Sequence, residues 1–187
     1  YLSPWLFLFL CPALTMRLLA EEKQSGTWEL LATKPLSKWA IILGKYMAGW
    51  MLVIVALLPV LLYYFIVSYL AEPVGNIDSG AFWGSFTGLI LLAAVYVAIG
   101  IFSSSLSNNQ LVSFVTAVVI SFFMLYGFEL IGSFFSSGKL IYVLDNCGIQ
   151  SHYKSISRGV IDSRDLIYFL IVIYIFLFFT EKKMTKN

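Results

Sequence analysis

Residues 82–102 read F-W-G-S-F-T-G-L-I-L-L-A-A-V-Y-V-A-I-G-I-F, without one charged side chain. Crossing about 30 Å of hydrocarbon takes about 20 residues of helix, because a backbone in lipid must satisfy its own hydrogen bonds. The stretch has that length and that composition, so it predicts a membrane-spanning helix. Working outward, four further apolar runs follow the same pattern: Leu2–Leu19, Lys45–Leu70, Leu111–Ile131 and Leu166–Phe179. The last is the weakest, since 14 residues rise only about 21 Å. Lys182 and Lys183 can snorkel at one end of it, and Val160–Ile161 can extend the other. Pro59 falls inside the second run and reads as a kink, tolerated where neighbours re-satisfy the freed carbonyl.

Composition points the same way. The chain has 187 residues, of which 60% are hydrophobic and 12% charged, and its mean hydropathy is +0.88. Soluble domains carry about 25% charged residues. The net charge of +2 offers a nucleic acid little electrostatic attraction. Two cysteines, Cys11 in an apolar run and Cys147 in a polar segment, make no disulfide framework. The first residue is Tyr1, and neither a basic n-region nor a small-residue cleavage site follows. The first run is therefore expected to be a retained helix, in a chain trimmed at its N-terminus. The expected fold is an all-α polytopic membrane helix bundle forming one domain over residues 1–187. Two segments stand out in it: a loop at 21–45 and a loop at 132–165.

Orientation follows from Lys and Arg. If the segment between the first two spans is cytoplasmic, that side holds Arg17, Lys23, Lys34, Lys38, Lys45, Lys182, Lys183 and Lys186. The other side holds Lys139, Lys154, Arg158 and Arg164. The 132–165 segment is then outside, and its apolar residues suggest a small helical hairpin at the membrane surface. The segment 71–81, with Pro73, Gly75, Asn76, Asp78 and Gly80, is turn-rich.

Chemistry is sparse. His152 has no neighbouring His, Cys, Asp or Glu cluster and reads as an ordinary loop histidine, not a metal ligand. No phosphate-binding loop of the G-x-x-x-x-G-K-[ST] type occurs, so no metal or nucleotide is expected in this chain. Glu129 lies at the outer end of the fourth span; it reads as a hydrated interfacial carboxylate rather than a gate. Gly84 and Gly88 form a G-x-x-x-G followed by Ala94, Ala98 and Gly100, which fits a packing seam or ordinary small residues in a membrane helix.

The segment from Glu21 to Lys45 carries the most information. Gly26 breaks the chain, and Thr27 can cap a short helix with Glu29 in its first turn. Trp28, Leu31 and Ala32 share a face, Pro35 ends the helix, and Ser37 can cap the next one. The result is a short amphipathic helix between two spans, with Trp39 at the interface. Glu22, Gly26-Thr27, Glu29-Leu30-Leu31, Pro35 and Leu43-Gly44-Lys45 together resemble the cytoplasmic loop of ABC-2-type permeases. Pro73–Asp78 and Ser157–Asp165 are similar to segments of the gliding-motility-associated (Gld) permease. The resemblance covers essentially the whole chain.

That resemblance implies a permease subunit of an exporter-type ABC transporter in the bacterial inner membrane, not itself an enzyme. It implies six spans, one of them before Tyr1. It also implies a coupling helix that meets a separate ABC ATPase carrying ATP and Mg, and a second permease subunit, identical or not. Glu21, Glu22, Gly26, Thr27, Trp28, Glu29, Leu30, Leu31 and Pro35 are the expected ATPase contact. An alternative from another class is a non-transporting scaffold that passes ATPase motion to an extracytoplasmic machine through the 132–165 loop.

Overall fold

The computed structural model describes residues 2–28, 33, 36–73, 76–134, 138–159 and 162–186. Every regular element among them is a helix: α1 (Ser3–Thr15), α2 (Arg17–Gln24), α3 (Lys38–Leu70), α4 (Ser79–Leu106) and α5 (Gln110–Phe122). A π turn (Phe123–Gly127) then leads into α6 (Phe128–Gly132), followed by α7 (Gly138–Cys147), α8 (Ile149–Ile156) and α9 (Ser163–Lys186). Five helical stretches are long and apolar enough to cross a membrane: 3–24, 38–70, 79–106, 110–132 and 163–185.

The helix first read from residues 82–102 is the axis of the bundle. α4 packs against α1, α2, α3, α5, α8 and α9, and Leu92 through Ile101 are buried without interruption. A helix apolar all round belongs in an interior. The other spans turn their outer faces to the surroundings, as Met51, Leu62 and Phe65 of α3 and Leu111 and Val115 of α5 do. In lipid such faces carry no penalty.

Small residues set how closely the helices approach α4. A Cβ at Gly100 would overlap the Thr15 hydroxyl of α1. Gly84 and Gly88 also make a close seam, but their partner is the 132–165 segment and not another span. A Cβ on Gly84 would lie 2.5 Å from Gly159 Cα, and one on Gly88 3.3 Å from Ile156 Cγ2. In the π turn, Gly127 leaves room for the Phe123 ring, which a Cβ there would meet at 2.5 Å.

The ends of the elements differ from the sequence reading where charged side chains were taken as boundaries. α9 has 24 residues, a rise of about 36 Å, so the last span is full length. Asp162 Oδ1 accepts from the Arg164 N–H at 3.0 Å at its start. Near its end Lys182 Nζ lies 4.7 Å over the Phe178 ring, the snorkelling geometry of a lysine stem on an apolar surface. The first span reaches Gln24, and α3 starts at Lys38 with Ser37 Oγ accepting from the Ala40 N–H at 3.2 Å. The 21–45 segment is therefore helical at both ends, over 21–24 and 38–45. α3 runs unbroken through Pro59. The 132–165 segment forms the hairpin α7–α8.

Antiparallel alternation gives the bundle two ends. The loop end holds α2, the start of α3 and the end of α9, where Lys38 Nζ donates to the Met184 carbonyl at 3.2 Å. The hairpin end holds the start of α1 and the α7–α8 pair.

Candidate functional site

The loop end is built on a break between α1 and α2. At Met16 the hydroxyl of Ser104, from α4, inserts into the helical ladder. It accepts from the Leu19 N–H at 3.1 Å and the Ala20 N–H at 2.9 Å, and donates to the Met16 carbonyl at 3.0 Å. A side chain inserted in this way is a recognised cause of a helix break. Next to it Lys23 Nζ donates to the Ser105 carbonyl at 2.5 Å. α2 is thus fixed to the end of α4 by side chains of both.

The same helix is tied to α3. Lys45 Nζ contacts Glu22 Oε1 at 2.5 Å and the Leu18 carbonyl at 2.6 Å. Glu22 Oε2 is buried and has no partner among the described residues. α2 then ends at Ser25, and Gly26 turns the chain with φ +73°, a conformation open chiefly to glycine. Ser25 Oγ lies 2.8 Å from Thr27 Oγ1, and the Thr27 hydroxyl also donates to the Glu22 carbonyl at 3.4 Å. Thr27 therefore turns back onto α2. Thr27 and Trp28 are helical, with Trp28 half-buried against the core.

Of the residues expected at the ATPase contact, Glu21 is exposed on the last turn of α2, and Glu22 is engaged inside the chain. Gly26, Thr27 and Trp28 lie on the turn that leaves α2. Glu29, Leu30, Leu31 and Pro35 lie outside the described residues. Sequence reasoning missed Ser104 and the Lys23 and Lys45 contacts. The run Ser103-Ser104-Ser105 at the end of an apolar helix was the available signal, since a buried hydroxyl needs a partner.

At the hairpin end, His152 joins the hairpin to α9. Its Nδ1 lies 2.6 Å from Asp165 Oδ1 and its Nε2 2.9 Å from the Asn146 carbonyl. Its ring stacks on Tyr168 at 4.0 Å, and the Tyr168 hydroxyl donates to the Cys147 carbonyl at 2.6 Å. His152 is a structural joint. Among the described residues no three His, Cys, Asp or Glu side chains group as for a metal. Glu129 is half-exposed, 3.7 Å from Lys154 Nζ. Burial raises the Tyr153 phenol above its ordinary range, so it stays protonated at neutral pH.

Comparison with known proteins gives one family. Residues 6–141 match the family described as ABC-2 family transporter protein. The match runs from α1 into α7 and takes in both ends of the bundle. No curated protein matches the chain. The match covers well over half of the 187 residues: the chain belongs to the ABC-2 transporter family, as a multi-pass membrane permease subunit of an ABC transporter.

Proposed function

We propose that this permease is the membrane half of an exporter-type complex in the bacterial inner membrane, driven by a separate ATPase that carries ATP and Mg. The segment 25–37 meets that ATPase, and a second permease subunit completes the transport path. Work within a gliding-motility complex belongs to the same proposal and rests on the segments Pro73–Asp78 and Ser157–Asp165.

One observation carries the reading. The segment 25–37 leaves from a base in which Glu22, Lys45 and the Leu18 carbonyl tie α2 to α3, while Ser104 and Lys23 tie α2 to α4. A push on the segment therefore acts on three helices at once, α4 among them. Without such ties a flexible loop would absorb the motion. The loop end also holds seven described cations, Arg17, Lys23, Lys38, Lys45, Lys182, Lys183 and Lys186, which supports a cytoplasmic position.

The test is a pull-down from membranes with identification of the ATPase and of any second permease. An ABC ATPase should co-purify. Leu31→Asp should insert normally yet bind it about thirtyfold more weakly, the loss of about 2 kcal/mol typical of one anchor residue. Full binding and full stimulated ATPase activity in that variant would remove the coupling role from this segment.

A further inference from the structure

The hairpin end holds two adjoining cavities. The larger, about 540 Å³, is lined by Ser3, Tyr126, Gln150, Tyr153, Lys154 and Arg158 among others. The smaller, about 140 Å³, is lined by Glu129, Gln150, Ser151 and Lys154 with apolar neighbours. Gln150 and Lys154 line both, so the two cavities adjoin, with Glu129 on the smaller and Arg158 on the larger.

Lys154 lies in the last turn of α8, and Arg158 in the turn that follows the helix. Arg158 Nε donates to the Lys154 carbonyl at 3.2 Å. No carboxylate pairs with Arg158 among the described residues. Glu129 and Lys154 sit 3.7 Å apart with more than half of each side chain exposed, a pairing of little worth in water. The other ion pair described at this end is His152 with Asp165, in which both ring nitrogens of His152 are engaged. Two cations and one loosely held carboxylate therefore face a space that also offers Tyr126, Tyr153 and Gln150 as hydrogen-bonding groups. Trp5 stacks on Tyr126 at 5.0 Å, an aromatic pair of the kind found at the membrane interface.

We propose that this double cavity binds a phosphate diester carrying a primary ammonium, the headgroup chemistry of an aminophospholipid. The phosphate lies on Lys154 and Arg158, and the ammonium on Glu129. Such a ligand exchanges one weak internal pair for three charge-assisted contacts. A purely anionic headgroup leaves Glu129 facing a phosphate. A trimethylated ammonium offers the carboxylate no N–H. The inference does not rest on ATPase coupling.

The experiment uses the full chain, purified in detergent and freed of lipid. It is incubated with an equimolar mixture of phosphatidylethanolamine, phosphatidylglycerol and phosphatidylcholine, and retained lipid is quantified by mass spectrometry. Phosphatidylethanolamine should be enriched over both others. Joint Lys154→Gln and Arg158→Gln should lower its retention about tenfold to a hundredfold, as expected for lost charged hydrogen bonds. Lys154→Arg, which keeps the charge, should retain it, and so should Arg164→Gln. Glu129→Gln should erase the preference for phosphatidylethanolamine over phosphatidylglycerol. Soluble glycerophosphoethanolamine tells the sources apart: displacement assigns the site to the free headgroup, and failure to displace assigns it to the lipid. Equal retention of the three lipids by the unaltered protein would overturn the proposal, as would an intact preference in Glu129→Gln.

Discussion

Glu22 and Lys45 lie 23 positions apart in sequence, and their side chains meet at 2.5 Å. The contact joins the last turn of α2 to the second turn of α3. Both groups are largely withdrawn from solvent, with side-chain exposures of 29% for Glu22 and 16% for Lys45. A pair in that position lies between the exposed and buried limits, so removing one partner is expected to cost about 1–3 kcal/mol. Lys45→Ala should cost more than Glu22→Ala, because it also leaves the Leu18 carbonyl without its donor. Thermal unfolding of the two single variants and the double variant in detergent measures this. The double should lose less than the sum of the singles; additive losses would mean that the pair is not coupled.

The glycines of the bundle should rank by what surrounds them. A side chain at Gly84 meets the backbone of Gly159 and Ile156, which cannot rotate away. Gly84→Ala should therefore destabilise by about 1–3 kcal/mol or shift the α7–α8 hairpin. Gly100→Ala meets the Thr15 side chain, its hydroxyl above all and its Cβ at 2.8 Å, and joint replacement with Thr15→Ala should recover part of the loss. Gly44 has nothing within 4 Å, so Gly44→Ala should be neutral or stabilising by up to about 1 kcal/mol through helix propensity. Melting temperatures of the three variants give the order directly.

Ser104 supplies the only side-chain hydroxyl described at the break between α1 and α2 that serves two N–H groups. Ser104→Ala leaves both donors buried and should cost about 1–3 kcal/mol. Hydrogen exchange should rise at Leu19 and Ala20 before it rises in α4. Unchanged exchange there would show that the ladder closes by itself once the hydroxyl is gone.

The spans were legible because hydrophobic length is a property of the local sequence. Phe82–Phe102 needs no neighbour to be read as a membrane helix. Their ends were less legible. The second span was read from Lys45 and the last from Leu166 to Phe179, while the helices run over Lys38–Leu70 and Ser163–Lys186, because a long stem snorkels and a short carboxylate caps. The site was legible only where the chain signals itself, as at Gly26, whose positive φ requires glycine, and at Ser37. Contacts between distant segments left no local mark. Nothing around Glu22 names Lys45, and nothing around His152 names Asp165. His152 read as an ordinary loop residue and is instead the joint of the hairpin, since its partners lie 13 positions ahead and 6 behind.

That joint should be testable by protection. Asp165 is 7% exposed, and one of its oxygens is occupied by His152. His152→Ala removes that partner, the stacking on Tyr168 and the bond to the Asn146 carbonyl together. Limited proteolysis should then cut within 138–159 faster than in the unaltered protein, while the loop-end segment 25–37 is cut at its former rate. Equal acceleration at both ends would indicate general unfolding, and none would mean that the hairpin is held by apolar contacts such as those of Ile149 and Ile156.

The orientation of the bundle decides whether the loop end can meet an ATPase at all, and the chain carries its own reporter. Cys147 is exposed at the hairpin end, and Cys11 is buried in the core. With seven described cations at the loop end against Lys139, Lys154, Arg158 and Arg164 at the other, the hairpin is expected outside. A membrane-impermeant maleimide added to intact spheroplasts should therefore label the unaltered protein, and Cys147→Ser should abolish the signal. Placed in that background, Ser163→Cys at the exposed start of α9 should restore labelling. Ser37→Cys, exposed at the start of α3, should react only after the membrane is permeabilised. Because the five spans alternate, these sites cannot be inverted one at a time. Labelling of Ser37→Cys in intact cells, with Ser163→Cys silent, would place segment 25–37 outside and exclude a cytoplasmic ATPase as its partner. The expected pattern leaves that segment, with the Glu22–Lys45 tie beneath it, on the side where ATP is hydrolysed.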